Sequence, residues 1–302
     1  MSDAIDISAT VFCPALGPDP LVADLSLRSD ALVVENDAFV GEIDLGNVFD
    51  VKLGARPQAA PSSFNTPVLT VGFERDGRRR VLFVTTDSET LTSFGGLLYR
   101  RLLDGKEVAV RHPAEVGGRV TDATFDIGRL HVVPERVGCT QIATPFDLKL
   151  EDIVDFWRAT EELLGDRQSV IHIQYVRNGV AVSLDLALNP PRVQHLLGRH
   201  LQRRYVETRR EIRRLDVPPV AIRALVRLYS RRGRATAASL VERESVSARA
   251  LVDGLRRREL VEAVDGEVAL TSRGWILVTE CVSDTGPSAA VDGPRRSTGQ
   301  TD

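Results

Sequence analysis

The sequence predicts an α+β protein with two similar β-rich units, each closed by one helix, and a third unit that combines helices with a β-hairpin. Three observations support this prediction. Strand-forming segments of one pattern occur twice, about a hundred positions apart; each copy leads into an amphipathic helix; and the sequence pattern changes at about residue 217.

The strand segments are the first evidence for an internal repeat. Residues 43–53 and 148–157 both read as a strand that turns at a small or acidic residue into a second strand. Residues 68–74 and 169–176 then alternate apolar and polar side chains. This alternation is typical of half-buried antiparallel strands.

The same turn follows in both copies. Asp76-Gly77 and Asn178-Gly179 are pairs that tolerate the positive φ of a two-residue hairpin, and each leads into a further β-rich segment. We therefore predict a hairpin at each pair.

Each copy ends in a predicted amphipathic helix. Asp87 and Ser88 are capping candidates for the first helix, and Asn189 is the predicted N-cap of the second, with Pro190 at its first position. The apolar stripes are Leu91, Phe94, Leu97, Leu98 and Leu102 in the first helix, and Val193, Leu196, Leu197, Leu201 and Tyr205 in the second.

A strand meander closed by one carboxy-terminal helix is the plan of pleckstrin-homology-like domains. We predict this β-barrel or sandwich fold for both copies. Such folds mostly bind peptides, proteins or lipid headgroups, so they imply recognition and not catalysis.

The third unit has the pattern of a winged helix-turn-helix. Pro218-Pro219 can begin a helix that Gly233 ends, and residues 237–243 and 247–258 read as two more helices around a turn that contains Ser245. The predicted inward-facing residues are Ile222, Leu225, Val226 and Tyr229 in the first of these helices, and Ala250, Leu251 and Leu255 in the last. Residues 259–278 read as a hairpin with Asp265-Gly266 at its tip.

These patterns predict the following domain boundaries: an N-terminal segment 1–24, a first pleckstrin-homology-like repeat 25–110, an inter-repeat junction 111–124, a second repeat with an extended basic helix 125–214, a winged helix-turn-helix 215–283, and a disordered tail 284–302. The tail is predicted to be disordered because it lacks apolar anchors. In the junction, Gly117 and Gly118 supply a turn, Pro113 stiffens the approach, and Arg119 follows.

Bulk properties favour a soluble cytoplasmic protein. No apolar run approaches the roughly 18 residues that cross a bilayer, so no membrane insertion is expected, and the first ten residues have acids where a signal peptide carries basic residues. Cys13, Cys139 and Cys281 are far apart and odd in number, so we expect neither a disulfide framework nor thiolate metal ligation.

Charge is segregated along the chain. Residues 199–259 contain seventeen arginines and seven acids, a net charge of +10, whereas the whole chain has a net charge of −3. This stretch therefore either binds an anionic partner or balances the acidic remainder. The candidate partner-binding residues are Arg199, Arg203, Arg204, Arg209, Arg210, Arg213, Arg214, Arg249, Arg256, Arg257 and Arg258.

The sequence does not predict a catalytic, cofactor or metal site. Gly105-Lys106 resembles the end of a phosphate-binding loop, but Arg100 replaces the first glycine and no Ser or Thr follows the lysine. His195 and His200 are five positions apart, which separates them by about 140° around a helix, unlike paired zinc ligands.

Several runs, in order along the chain, resemble the archaeal taxis protein family CheF. They are NVFDV, VLTVGFERDGRRR, RHPAEVGGRVTDATF, LLGRHLQRRY, ALVRLYS and LVEAVDGEVALTSRG, and they cover about residues 40 to 280. The resemblance implies a non-enzymatic adaptor that couples the response regulator CheY and the CheC and CheD proteins to the archaellum motor complex. The arginine density and the sequence pI near 6.0 depart from the acidic character expected of this family.

Two other classes of function stay open at this point. A winged-helix transcriptional regulator with a β-rich sensor region would bind duplex nucleic acid with a steep salt dependence. An enzyme that uses one of the histidines would need turnover linked to a metal or cofactor.

Overall fold

The structure is a computed structural model that describes residues 5–15, 17–163, 165–241 and 247–285. Within these ranges the protein is a mixed α+β fold with antiparallel sheets and five α-helices. We call its three parts the first β unit, the second β unit and the C-terminal unit. No helix in these ranges has the combined length and apolar character that a bilayer crossing requires.

The first β unit is a seven-stranded sheet in the order β4-β3-β2-β1-β7-β6-β5, followed by helix α1. Asp76 and Gly77 both have positive φ, which confirms the predicted hairpin turn. The carboxylate of Asp87 accepts a hydrogen bond from the Thr90 N–H, which confirms the predicted helix cap. The elements are β1 Ile5–Phe12, β2 Leu21–Leu27, β3 Ala31–Asn36, β4 Phe39–Asp44, β5 Val48–Gly54, β6 Val68–Arg75, β7 Arg78–Thr85 and α1 Ser88–Leu103.

The second β unit repeats this order with one strand interrupted. Strands β10 and β11, separated by Leu130, together take the place of β2: β10 pairs with β8, and β11 pairs with β12. Asn178 and Gly179 have positive φ, as predicted. The elements are β8 Glu107–Val116, β9 Arg119–Val120, β10 Asp126–Arg129, β11 His131–Val133, β12 Arg136–Cys139, β13 Phe146–Lys149, β14 Ile153–Leu163, β15 Asp166–Arg177, β16 Val180–Ala187 and α2 Pro191–Ile212.

The shared strand order confirms the internal repeat. Each unit also has a short 3-10 turn at the same place, Leu45–Asn47 between β4 and β5 and Leu150–Asp152 between β13 and β14. The helices α1 and α2 bury most of their predicted apolar stripes in one continuous hydrophobic core that includes strands of both units. This shared core places α2 against β5 of the first unit as well as against its own sheet.

The predicted boundaries at the two ends of the first repeat are wrong. Residues 5–12, assigned to an N-terminal segment, form β1 in the middle of the first sheet, between β2 and β7. Residues 111–116, assigned to an inter-repeat junction, belong to β8, and the connection between the units is Asp104–Lys106.

The glycine pair of the predicted junction lies in a hairpin. Gly117 and Gly118, both with positive φ, join β8 to Arg119 and Val120 of β9, and Pro113 lies within β8. A glycine pair suits either a linker or a hairpin, and the pairing of β8 with β10 and β16 decides for the hairpin. The predicted cap of α2 is also wrong, because α2 begins at Pro191, after Pro190.

In the part of the C-terminal unit that the structure describes, there are three α-helices and a small sheet in the order β17-β19-β18. Asp265 and Gly266 have positive φ at the predicted hairpin tip. The elements are α3 Pro219–Ser230, β17 Arg234–Ala235, α4 Ala248–Arg257, β18 Val261–Val264, β19 Glu267–Leu270 and α5 Ser272–Thr285.

Four predictions for this unit need correction. The helix expected over 237–243 is a 3-10 turn at Ala237–Leu240, and the turn with Ser245 lies outside the described residues. The stretch expected to finish the hairpin is helix α5, whose first turn is capped by the Thr271 hydroxyl, which accepts from the Gly274 N–H. The inner face of α3 is formed by Ala221, Ala224, Leu225 and Leu228, whereas the predicted inward-facing Val226 and Tyr229 are exposed. In α4, the predicted inward-facing Ala250 is exposed and Val252 is buried in its place.

Two glycines define the contact between the second β unit and the C-terminal unit. A Cβ on Gly179 would lie 2.7 Å from the Ala269 Cβ, and a Cβ on Gly233 would collide with the Gly179 carbonyl oxygen. Arg234 Nε also donates to the Asn178 carbonyl oxygen at 2.6 Å. The hairpin turn of the second β unit is therefore packed directly against the start of β17.

Candidate protein-docking surface

The arginines of α2 divide into those that have an acidic partner within the chain and those that do not. Arg199 Nε lies 2.9 Å from Asp50 Oδ1 on β5, so it joins α2 to the first β unit. Arg204 lies 3.4 Å from Glu207, and 3.8 and 4.0 Å from Glu135 and Glu151. These contacts neutralise much of the charge that the sequence assigned to an anion-binding face.

A second pair of arginines connects α2 to α5. Arg209 Nε and Arg213 Nε lie 2.6 and 3.4 Å from the two carboxylate oxygens of Glu280. Arg209 also lies over the Tyr205 ring at 5.4 Å. Because both guanidinium groups share one carboxylate, these arginines hold the C-terminal unit against α2.

Arg203, Arg210 and Arg214 have no ion pair among the described residues. Arg203 and Arg210 are seven positions apart, so they lie on one face of α2, and Arg214 lies in the turn that follows the helix. Of the predicted residues in α2 and the turn that follows it, these three are the ones without an acidic partner among the described residues.

Arg203 and Arg210 line a groove between α2 and the first β unit, which we call the basic groove. Its volume is about 660 Å³, and one wall is formed by β5, the residues after it and the first turns of α1. The lining residues used below are Lys52, Tyr99, Arg199, Arg203, Val206, Glu207 and Arg210.

The groove contains a cation that the sequence analysis missed. Lys52 on β5 lines it from the first β unit, about 150 positions before the arginines, and has no ion pair among the described residues. Glu207 is the acid of the lining, and it is paired with Arg204. Three unpaired cations, Lys52, Arg203 and Arg210, therefore dominate the electrostatics of the groove.

The base of the groove is formed by buried aromatic side chains. The Tyr99 hydroxyl donates a 2.5 Å hydrogen bond to the Val51 carbonyl oxygen, and burial raises the pKa of this phenol. His200 is fully buried against Tyr99, and burial, with a smaller effect from Arg203, lowers its pKa to about 3. The positive charge of the groove thus comes from its lysine and arginine side chains and not from a histidine.

The arginines of α4 lie elsewhere. Arg249, Arg256 and Arg257 are exposed, whereas Arg258 donates to the carbonyl oxygens of Asp216 and Gly254. None of the four lines the basic groove. The arginines of the basic groove therefore all come from α2.

The histidines that an enzyme would use have structural contacts. His112 is buried, with Nδ1 3.1 Å from the Thr144 carbonyl oxygen and Nε2 2.7 Å from the Tyr175 hydroxyl, and burial lowers its pKa. His195 Nε2 lies 3.1 Å from Asp50 Oδ1, beside Arg199. These contacts join β8 to β15 and α2 to β5.

Comparisons with known proteins show what the chain is similar to. A family model described as archaeal chemotaxis signal transduction system protein F matches residues 23–207, from within β2 of the first β unit through the second β unit to most of α2. The taxis protein CheF2 of Halobacterium salinarum is 28% identical over 266 residues, covering 88% of this chain and 92% of that protein. The taxis protein CheF1 of the same organism is 32% identical over 99 residues, covering 32% of this chain and 34% of that protein.

Proposed function

The chain belongs to the archaeal CheF family of chemotaxis signal-transduction proteins, and from this premise we propose that it is a non-enzymatic cytoplasmic adaptor. Its signalling-side partners are the response regulator CheY and the CheC and CheD proteins, and its output partner is the archaellum motor complex. The family description concerns signal transduction and gives no support to a transcriptional regulator.

The adaptor role fits a fold made of recognition modules. We assign both β units to pleckstrin-homology-like domains, because each has the same antiparallel order followed by one helix. We assign the C-terminal unit to a winged helix-turn-helix that docks proteins, with β18 and β19 as the wing. Both kinds of module bind through exposed edges, loops and grooves.

The observation that carries the proposal is the set of unpaired cations in the basic groove. Response regulators are acidic around the aspartate that becomes phosphorylated, so Lys52, Arg203 and Arg210 present charge of the complementary sign. The exposed Val206 between the two arginines adds apolar area to the same wall. Phosphorylation of the partner adds negative charge and changes its affinity for this groove.

The test is a binding titration of the full-length protein with CheY, with and without beryllofluoride as an aspartyl-phosphate mimic. The double variant Arg203→Glu/Arg210→Glu is expected to weaken binding by roughly tenfold, the equivalent of about 1.4 kcal/mol. The matched control is Arg223→Glu/Arg231→Glu, which makes the same charge change at exposed arginines outside the groove.

Equal affinities of the groove variant and the wild type would exclude this groove as the CheY site. Equal losses in the two double variants would show that only the overall charge matters. In cells, the groove variant is expected to assemble archaella but to lose directed switching, and normal taxis would contradict the adaptor role of the groove.

A further inference from the structure

The outer faces of the two sheets, on the side away from the shared core, differ at one equivalent pair of positions. In the first β unit, Phe12 on β1 lies opposite Phe83 on β7, and their rings stack with centroids 6.2 Å apart. In the second β unit, the equivalent strands β8 and β16 place Arg111 opposite Asp185. An apolar pair in one copy thus corresponds to an ion pair in the other.

The two faces also differ in what covers them. In the first β unit, the segment between β5 and β6 folds back, and Ala60 and Phe64 pack over the Phe12–Phe83 pair. In the second, two residues connect β14 to β15, so no such segment is present. The result is a pocket of about 340 Å³ on the second sheet, with Trp157 and Val120 49% and 80% exposed at its rim.

Charged side chains form a connected network in this pocket. Asp185, whose side chain is 3% exposed, accepts from Arg111 Nε at 2.7 Å and pairs with His172 Nδ1 at 2.8 Å. Glu161 lies 3.3 Å from both Arg111 Nη2 and His172 Nε2. The Arg111 guanidinium also lies 4.8 Å above the Phe125 ring, which fixes its orientation.

This network stabilises the sheet surface less than an apolar pair would. A buried ion pair contributes little or nothing compared with an apolar pair of similar size, because both charges lose their hydration. The first β unit shows that the fold accepts the apolar pair at this position. The network in the second unit is therefore best explained by recognition.

The charges and the aromatic ring define what the pocket can bind. Three carboxylates, Asp185, Glu161 and Glu115, line it with one guanidinium, so the carboxylates outnumber the arginine by two. Trp157 stacks on His172 at 5.1 Å and leaves half of its surface to solvent. An aromatic face beside partly exposed carboxylates attracts a cation and repels an anion.

We propose that this pocket, the acidic pocket, binds the arginine or lysine side chain of a basic segment in a protein partner. Glu161 forms the ion pair with the incoming cation, Trp157 packs against its aliphatic stem, and Arg111 and His172 hold the carboxylates in place. The volume is near the lower limit of ligand clefts, roughly 300 Å³, and suits one side chain. The acidic pocket is separate from the basic groove, so it does not depend on the proposed CheY site.

The test uses the fluorescence of Trp157 in the full-length protein. Since the chain has two tryptophans, Trp275→Phe leaves Trp157 as the single reporter. The probe is the blocked peptide acetyl-Gly-Gly-Arg-Gly-Gly-amide, titrated at constant ionic strength, and the control peptides carry Glu or Leu in place of Arg. The arginine peptide is expected to change the emission in a saturable way, and the control peptides are not.

Two sets of variants locate the site. Glu161→Gln is expected to lower the affinity for the arginine peptide roughly fivefold, because it removes a partly exposed ion pair worth about 1 kcal/mol. Its matched control is Glu162→Gln, an exposed residue on the opposite face of β14 that does not line the pocket. Val120→Lys at the exposed rim is expected to lower the affinity for the arginine peptide, and Val120→Glu is expected to raise it.

Three results would overturn the proposal. The first is a Trp157 emission that does not change with the arginine peptide, and the second is an equal change with the glutamate peptide. The third is an equal loss of affinity for the arginine peptide in Glu161→Gln and Glu162→Gln. The Val120 variants keep the test decisive if Glu161→Gln fails to fold, because their side chains are already in solvent.

Discussion

Acid destabilisation through His200 is a prediction whose size follows from the structure. His200 is fully buried between α1 and α2, and burial lowers its pKa from 6.5 to about 3. The folded protein therefore keeps the ring neutral down to about pH 3, whereas the unfolded chain takes up the proton near pH 6.5. The substitution that isolates this effect is His200→Leu.

The sign and size follow from proton linkage. Because the unfolded state binds more protons between pH 6.5 and pH 3, the free energy of unfolding falls as the pH falls through this window. With these two pKa values, His200 removes about 2 kcal/mol of stability between pH 7.5 and pH 5. The loss stops below about pH 3, where both states are protonated.

The assay is urea unfolding of the wild type and His200→Leu at pH 7.5 and pH 5.0, followed by circular dichroism. Neither ring nitrogen has a hydrogen-bond partner among the described residues, so leucine leaves no protein partner unsatisfied. Between pH 7.5 and pH 5.0, the free energy of unfolding of the wild type is expected to fall by about 2 kcal/mol more than that of the variant. Other groups titrate in both proteins and cancel in the difference, so equal losses would refute the assignment of a neutral, buried His200.

Three further outcomes test the packing. Gly179→Ala is expected to cost about 1 to 3 kcal/mol more in urea unfolding than Gly77→Ala, because both residues have positive φ but only Gly179 is in close contact; equal costs would contradict the close contact. Tyr99→Phe is expected to cost about 1 to 3 kcal/mol, since it leaves a buried carbonyl oxygen without its donor, and an unchanged unfolding midpoint would argue against that bond. Arg111→Phe/Asp185→Phe, which copies the apolar pair of the first β unit, is expected to keep or raise the melting temperature while abolishing arginine-peptide binding; a large loss of stability would mean that the network is structural.

Local sequence signals predicted the turns and the repeat. The Asp-Gly and Asn-Gly pairs at residues 76–77, 178–179 and 265–266 adopt positive φ as expected, because that conformation depends on the pair itself. The cap at Asp87 depends on a hydrogen bond to a residue three positions away. Such features need no information from distant parts of the chain.

Two errors came from patterns that fit more than one structure. The apolar run Ile276, Leu277 and Val278 suits a strand or a buried helix, and packing against the small sheet decides for α5. Gly117-Gly118 suits a linker or a hairpin, and pairing of β8 with both β10 and β16 decides for the hairpin. In each case the deciding contacts are distant in sequence.

The sequence by itself determined the repeat, the turns, the positions of most helices and the excess of arginine after residue 199, because these follow from neighbouring residues and composition. Only the tertiary structure decided which of those arginines have partners. Arg199 meets Asp50 and Arg209 meets Glu280 across 149 and 71 positions, and these pairings leave Lys52, Arg203 and Arg210 for the basic groove. The net charge of a surface depends on which distant side chains the fold brings within a few ångströms, since the interaction of two charges falls with distance and is screened by salt.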